Sequence, residues 1–130
     1  DERDPDRAPI RIEDAVAEIT RHGADIIHLQ EVEHARPPGG GLAHADAAPN
    51  FARLRAALPG YHAHFAFPRP DPRELPFGIG LAIFSREPLT GCFAEDLPSP
   101  PIEFEFNGEK KTPTDRLLVG ATTTVSGRAL

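Results

Sequence analysis

The sequence predicts an α/β fold, in which helices lie on the outer face of a mixed central sheet. Residues 10–22 carry apolar side chains at positions i, i+3, i+4 and i+7, which is the spacing of one helix face. Residues 25–32 and 78–85 are short and nearly continuous apolar runs, as in buried strands. A helix followed at once by a buried strand is half of an α/β unit, so we expect both strands in one sheet.

Proline and glycine separate the remaining predicted elements. The 15 prolines fall mostly between apolar clusters and predict loops at 35–47 and 98–114. Residues 1–9 show no apolar pattern and are expected to form a loose lead-in. The other predicted elements are a helix at 48–58, strands at 61–67, 89–97, 102–106, 116–125 and 128–130, and turns at 107–108 and 126–127.

The predicted core collects the apolar side chains that these helices and strands direct inward. It consists of Ile12, Val16, Ile19, Ile27, Leu29, Phe51, Leu54, Leu81, Ile83 and Leu118.

Composition limits the classes of function. The net charge of −6 disfavours a simple electrostatic nucleic-acid binder, which usually carries a basic face. It leaves room for an enzyme that acts on phosphates, because a bound divalent metal inverts the field of an acidic site.

The single cysteine, Cys92, excludes an internal disulfide and a multi-cysteine zinc site. No apolar run approaches the roughly 18 residues of a transmembrane helix, and the compartment, cytoplasmic or secreted, stays open.

The most informative motif is Ala-Asp-Ile-Ile-His-Leu-Gln-Glu-Val at 24–32. After an amphipathic helix, it resembles the signature of the endonuclease/exonuclease/phosphatase superfamily, which includes DNase I-like nucleases and inositol polyphosphate phosphatases. Three further segments resemble family motifs in the family's order: Leu-Pro-Gly-Tyr at 58–61, Phe-Gly-Ile-Gly-Leu-Ala-Ile-Phe-Ser-Arg-Glu-Pro-Leu at 77–89, and Arg-Leu-Leu-Val-Gly-Ala at 116–121. The resemblance therefore covers nearly the whole chain.

The resemblance implies both a fold and an activity. The fold would be the N-terminal half of a four-layer α/β/β/α sandwich with a mixed sheet, truncated at both ends. The intact protein would be a metal-dependent phosphoesterase that uses Mg²⁺ or Mn²⁺ to hydrolyse phosphodiester or phosphomonoester bonds. Its substrate would be a nucleic acid, a phospholipid or an inositol phosphate. Glu31 would be a metal ligand, and Arg116 a weaker candidate for contacting substrate phosphate.

The chemistry of Glu31 agrees with that role. A carboxylate at the end of an apolar strand is costly to bury unless it is paired or bound to metal, and Mg²⁺ prefers carboxylate oxygen. The alternative is an ordinary solvent-exposed glutamate at a strand end. Glu33, two residues further on, is expected to share the face of Glu31. For Arg116 the alternative is a loop arginine whose charge balances that of the neighbouring Asp115.

No catalytic residue is identifiable in this chain. The six histidines lack a recognised helical ligand spacing, so alternating His62 and His64 are interpreted as polar-face residues rather than zinc ligands. Ser85 lacks a nucleophile-elbow context. The family's Asn before the first helix, its catalytic His, its Asp-x-Asn segment and its terminal Asp-His pair would all lie outside residues 1–130. We therefore expect the chain alone to be inactive.

Two hypotheses remain from the sequence. The first is a fragment of a hydrolytic phosphoesterase, and the second is a non-catalytic α/β binding module derived from the same fold. Flanking sequence would distinguish them, since only the enzyme requires the Asn, Asn-x-His and Asp-His segments. A half-domain would also expose apolar surface, which would leave the chain either marginally folded or associated with itself.

Overall fold

A computed structural model describes residues 11–33, 48–69, 71 and 79–130 of the protein. The predicted lead-in at 1–9 and the predicted loop at 35–47 lie outside the described residues. Within the described ranges, no helix is both long and apolar enough to cross a membrane.

Two helices form where the sequence predicts them. The first, α1 (Ile12–His22), ends at Gly23, whose left-handed backbone (φ 61°) lets its N–H donate to the Ile19 carbonyl. Acidic residues lie in the first turn of α1 and basic residues in the last, which complements the helix dipole. The second helix, α2 (Pro49–Ala57), begins with proline at a first-turn position that needs no N–H donor. Both predictions are confirmed to within two residues.

Three strands form the sheet on which these helices pack. They are β1 (Ile26–Glu33), β2 (His62–Ala66) and β3 (Ile79–Ser85), in the order β1-β3-β2. The prediction that segments 25–32 and 78–85 share a sheet is confirmed. The prediction of a mixed sheet is wrong, because both strand pairs are antiparallel.

The main core lies between the helices and this sheet. Ala82 and Phe84 of the central strand β3 point toward the helices, and Phe51 of α2 stacks on Phe65 of β2 at 4.9 Å between ring centroids. Aromatic pairs at this separation add to the stability gained from burial alone. The buried cluster comprises Ile12, Ile27, Ala48, Phe51, Leu54, Leu58, Phe65, Phe67, Ile79, Ala82 and Phe84.

The remaining strands form three small antiparallel pairs. In chain order they are β4 (Thr90–Leu97), β5 (Phe104–Phe106), β6 (Glu109–Lys111), β7 (Arg116–Thr122), β8 (Thr124–Val125) and β9 (Arg128–Ala129). β4 pairs with β7, β5 with β6 and β8 with β9. The turn predicted at 107–108 joins β5 to β6, and the turn predicted at 126–127 joins β8 to β9.

A buried hydroxyl pair connects the β4–β7 ribbon to the three-stranded sheet. The Ser85 Oγ of β3 lies 3.0 Å from the Thr123 Oγ1 that follows β7, and both residues are buried. The Glu87 N–H also donates to Ser85 Oγ, at 3.2 Å. Ser85 therefore has a structural role at this junction, because its buried hydroxyl bonds both the Glu87 N–H and Thr123 Oγ1, which itself donates to the Pro88 carbonyl at 3.2 Å.

The predicted four-layer α/β/β/α sandwich is wrong. Among the described residues 46% lie in strands and 20% in two helices, so the chain is a small, mainly β domain built from small antiparallel sheets. Continuous apolar runs suggested a helix-flanked mixed sheet. Only β3 is buried along its length, because it packs against the helices and also contacts β7, whereas in β1 only Ile27 and Glu33 are buried. An antiparallel strand covered on both faces has the same apolar composition.

Candidate functional site

Glu31 lies at a β-bulge where β1 pairs with β3. Gln30 pairs with Leu81 and Glu33 pairs with Ile79, so two residues of β1, Glu31 and Val32, face the single residue Gly80. The backbone is left-handed on both sides of this irregularity, with φ 55° at Glu31 and φ 82° at Gly80. Bulges of this kind re-aim side chains and occur often beside active sites.

The bulge changes the direction of the Glu31 side chain. Ile27 and Leu29 point to the helix-side core, and an undisturbed strand would send Glu31 to that same face. Glu31 is instead exposed. Within the described part of the chain, no hydrogen bond or ion pair engages its carboxylate. The carboxylate is therefore free to meet a ligand from solvent.

The conformation of Glu31 is strained. A residue with a Cβ atom in the left-handed region costs about 1–2 kcal/mol relative to the extended conformation. Glycine is the residue that adopts this conformation without cost, yet the chain has glutamate here. Strained positions tend to occur at functional sites, where the surrounding structure holds them in place.

Glu33 serves a different role from the one expected for it. It does not share the exposed side of Glu31, because the bulge re-aims Glu31 whereas Glu33 stays on the helix-side face of Ile27 and Leu29, and only 2% of Glu33 is exposed. Its Oε1 accepts a hydrogen bond of 2.8 Å from the Phe51 N–H in the first turn of α2. The N-cap residue of α2 is Ala48, which has no side-chain acceptor, so Glu33 caps the helix from a distant strand.

Arg116 lies in a different sheet from Glu31. It is the first residue of β7, it is exposed, and it pairs with Leu97 across the ribbon. No contact between described residues brings Arg116 and Glu31 together. The interpretation that Arg116 balances the charge of Asp115 has no support either. The Asp115 carboxylate accepts a hydrogen bond of 3.0 Å from the Ser99 N–H and makes no ion pair with Arg116.

In the part of the chain that the structure describes, no cluster of metal ligands surrounds Glu31. Among the described residues, no group of three His, Cys, Asp or Glu side chains is placed to hold a metal ion. His62 is exposed and His64 is half-buried on the same face of β2, and the buried Nε2 of His64 has no hydrogen-bond partner. Glu31 is therefore the one sequence-predicted ligand whose exposure and free carboxylate suit a cation.

The role of Glu33 was missed by sequence reasoning, although one signal pointed to it. Gly80 interrupts an otherwise apolar strand, and a glycine inside a strand often marks a bulge. Pairing Gly80 with the Glu31 segment would have separated the two glutamates onto opposite faces.

Similarity to known proteins adds nothing to this geometry. A scan against family models, a search of curated proteins and a search of solved structures each give no match.

Proposed function

We propose that the chain belongs to a divalent-metal-dependent phosphoesterase and that Glu31 is a ligand of its Mg²⁺ or Mn²⁺ ion. One observation carries the proposal: the β-bulge turns the Glu31 carboxylate out of the core side of β1, at a cost in backbone strain. The motif at 24–32, which resembles the superfamily signature, supports the same residue.

Glu31 fits a hard cation by its chemistry. It offers an exposed carboxylate with no competing partner among the described residues, and Mg²⁺ takes oxygen ligands while keeping several waters. When bound, the metal would neutralise phosphoryl charge and lower the pKa of a bound water. The proposed substrate is a phosphodiester or phosphomonoester, and Arg116, which lies in another sheet, is not assigned to this site.

Metal binding tests the proposal directly. Mn²⁺ titrated into isotopically labelled protein should broaden the amide resonances nearest Glu31 first, because relaxation by a paramagnetic ion falls steeply with distance. With one protein carboxylate, we expect weak binding, at millimolar Mn²⁺. Glu31→Gln should abolish this local broadening and leave the other resonances in place.

Glu105→Gln is the matched control, since Glu105 is also an exposed strand glutamate. It should leave the broadening near Glu31 unchanged. Broadening that is equal in wild type and Glu31→Gln would overturn the metal-ligand role. In any preparation with metal-dependent activity, Glu31→Gln should lower turnover by about a hundredfold or more, since even outer-shell partners of a metal contribute roughly 10- to 100-fold.

A further inference from the structure

The β4–β7 ribbon presents one face that nothing in the described structure covers. Residues directly opposite each other in an antiparallel pair share a face, as do residues two apart along a strand. The register of β4 with β7 therefore puts six residues on one side, which we call the ribbon face: Phe93, Glu95, Leu97, Arg116, Leu118 and Gly120.

The ribbon face is apolar at three positions. Phe93 and Leu97 are each 44% exposed and Leu118 is 41% exposed. The Phe93 ring lies over Gly120, where a Cβ atom would come within 2.3 Å of the ring, so the aromatic side chain packs against the backbone of the neighbouring strand. Leu117 and Val119, on the opposite side of β7, are less exposed. Contiguous apolar side chains of this kind mark interaction surfaces.

Two opposite charges share the ribbon face with these apolar residues. Glu95 lies opposite Leu118, and Arg116 lies opposite Leu97, so the two charges are diagonal neighbours. Both are exposed, and within the described residues neither has an ion-pair partner. The face therefore carries an acid and a base in a fixed relative position, flanked by apolar side chains.

We propose that the ribbon face binds a second copy of this chain. A face with one acid and one base is complementary to itself: a two-fold axis that passes between Glu95 and Arg116 brings each glutamate to the arginine of the other copy. The same operation brings Leu97 and Leu118 close to their counterparts. Charge complementarity thus favours the chain itself over a partner of uniform charge.

The size of the face predicts a weak dimer. Stable interfaces bury about 800 Å² on each partner, and three partly exposed apolar side chains supply less. We therefore expect a reversible dimer with a dissociation constant in the micromolar range, near or above about 10 µM. Sedimentation velocity over a range of protein concentrations measures it.

Charge reversal gives a specific test. In Glu95→Arg, the new arginine of each copy meets Arg116 of the other copy, on both sides of the axis. In Arg116→Glu, the new glutamate of each copy meets Glu95 of the other copy. Each variant should dissociate at least about tenfold more readily than wild type. An equimolar mixture of the two should regain wild-type association, because every contact then joins an acid to a base. The double variant Glu95→Arg/Arg116→Glu should regain it too.

Matched controls lie away from the ribbon face. Glu87→Arg, in the turn before β4, and Arg128→Glu, in β9, make the same charge changes at exposed positions and should leave association unchanged. Leu118→Thr removes apolar contact without changing charge and should weaken the dimer. A wild-type chain that stays monomeric at all concentrations, single variants that associate normally, or a mixture that fails to associate would each overturn the proposal.

Discussion

The Glu33 carboxylate of β1 accepts a 2.8 Å hydrogen bond from the Phe51 amide of α2, across 18 residues of sequence. Both residues are almost fully buried. The contact supplies an acceptor to a helix whose own N-cap, Ala48, has none. It also places a carboxylate at the positive end of the helix dipole, where negative charge is favourable.

Removing the Glu33 carboxylate should destabilise the fold. Glu33→Ala leaves the Phe51 N–H buried without an acceptor, so the free energy of unfolding should fall by about 2–3 kcal/mol. Glu33→Gln keeps an oxygen acceptor and loses the charge, so it should lose less. Chemical denaturation measures both. Equal losses for the two variants would show that the charge, rather than the hydrogen bond, provides the stability.

Glycine at position 31 should stabilise the protein. It removes about 1–2 kcal/mol of left-handed strain and costs about 0.5–1 kcal/mol through the greater entropy of the unfolded chain, so the free energy of unfolding should rise by up to about 1.5 kcal/mol. The control is Gln30→Gly. Gln30 is the exposed neighbour of Glu31 and does not have a positive φ, so glycine there should destabilise the protein. Thermal and denaturant unfolding compare the two. A clear loss of stability in Glu31→Gly would contradict the strain assigned to this residue.

Alanine at position 80 should be poorly tolerated. A Cβ atom there would lie 2.6 Å from Cζ of the buried Phe65 ring, and φ is 82°. Overpacking and backbone strain together should lower the free energy of unfolding by about 2–4 kcal/mol. Gly60→Ala is the control, since Gly60 has open space around it. If Gly80→Ala unfolded at the same denaturant concentration as Gly60→Ala, the close approach of Phe65 would be refuted.

The isolated chain should show no significant phosphoesterase activity. Positioning and charge neutralisation supply most of the acceleration in phosphoryl transfer, and one carboxylate positions neither the attacking nor the leaving oxygen. Purified chain should be assayed with Mg²⁺ and with Mn²⁺ against plasmid DNA, a generic phosphodiester and a phosphomonoester. Robust hydrolysis that disappears in Glu31→Ala would mean that these 130 residues already hold a complete site.

Local signals predicted both helices and most strands, but they missed β6, which lies in the predicted loop at 98–114, and the break that divides the predicted strand 116–125 into β7 and β8. The period of apolar residues and the stop at Gly23 placed α1, and alternation from Tyr61 to Phe67 placed β2. The direction in which the strands pair was predicted wrongly, because α2 and β2 lie between β1 and β3 in the sequence and local signals do not show how distant strands pair. Apolar composition is the same for a parallel strand and for an antiparallel strand covered on both faces.

The positions of individual side chains depended on contacts that the sequence does not display. Leu118 was predicted in the core and is 41% exposed, because its strand belongs to a two-stranded ribbon with one uncovered face. Glu31 and Glu33 were expected on one face and are separated by a single extra residue in β1. Period-two reasoning fails at a bulge, because the extra residue re-aims a side chain there, in this case that of Glu31.

The cap that β1 provides to α2 also constrains the order of folding. A helix of nine residues without its own cap is shorter than the roughly 12–15 residues at which isolated helices become marginally stable. The acceptor it needs becomes available only once β1 has docked beside it. We therefore expect nucleation of α2 and docking of β1 to be one cooperative event, in which a long-range contact must close before the local helix persists.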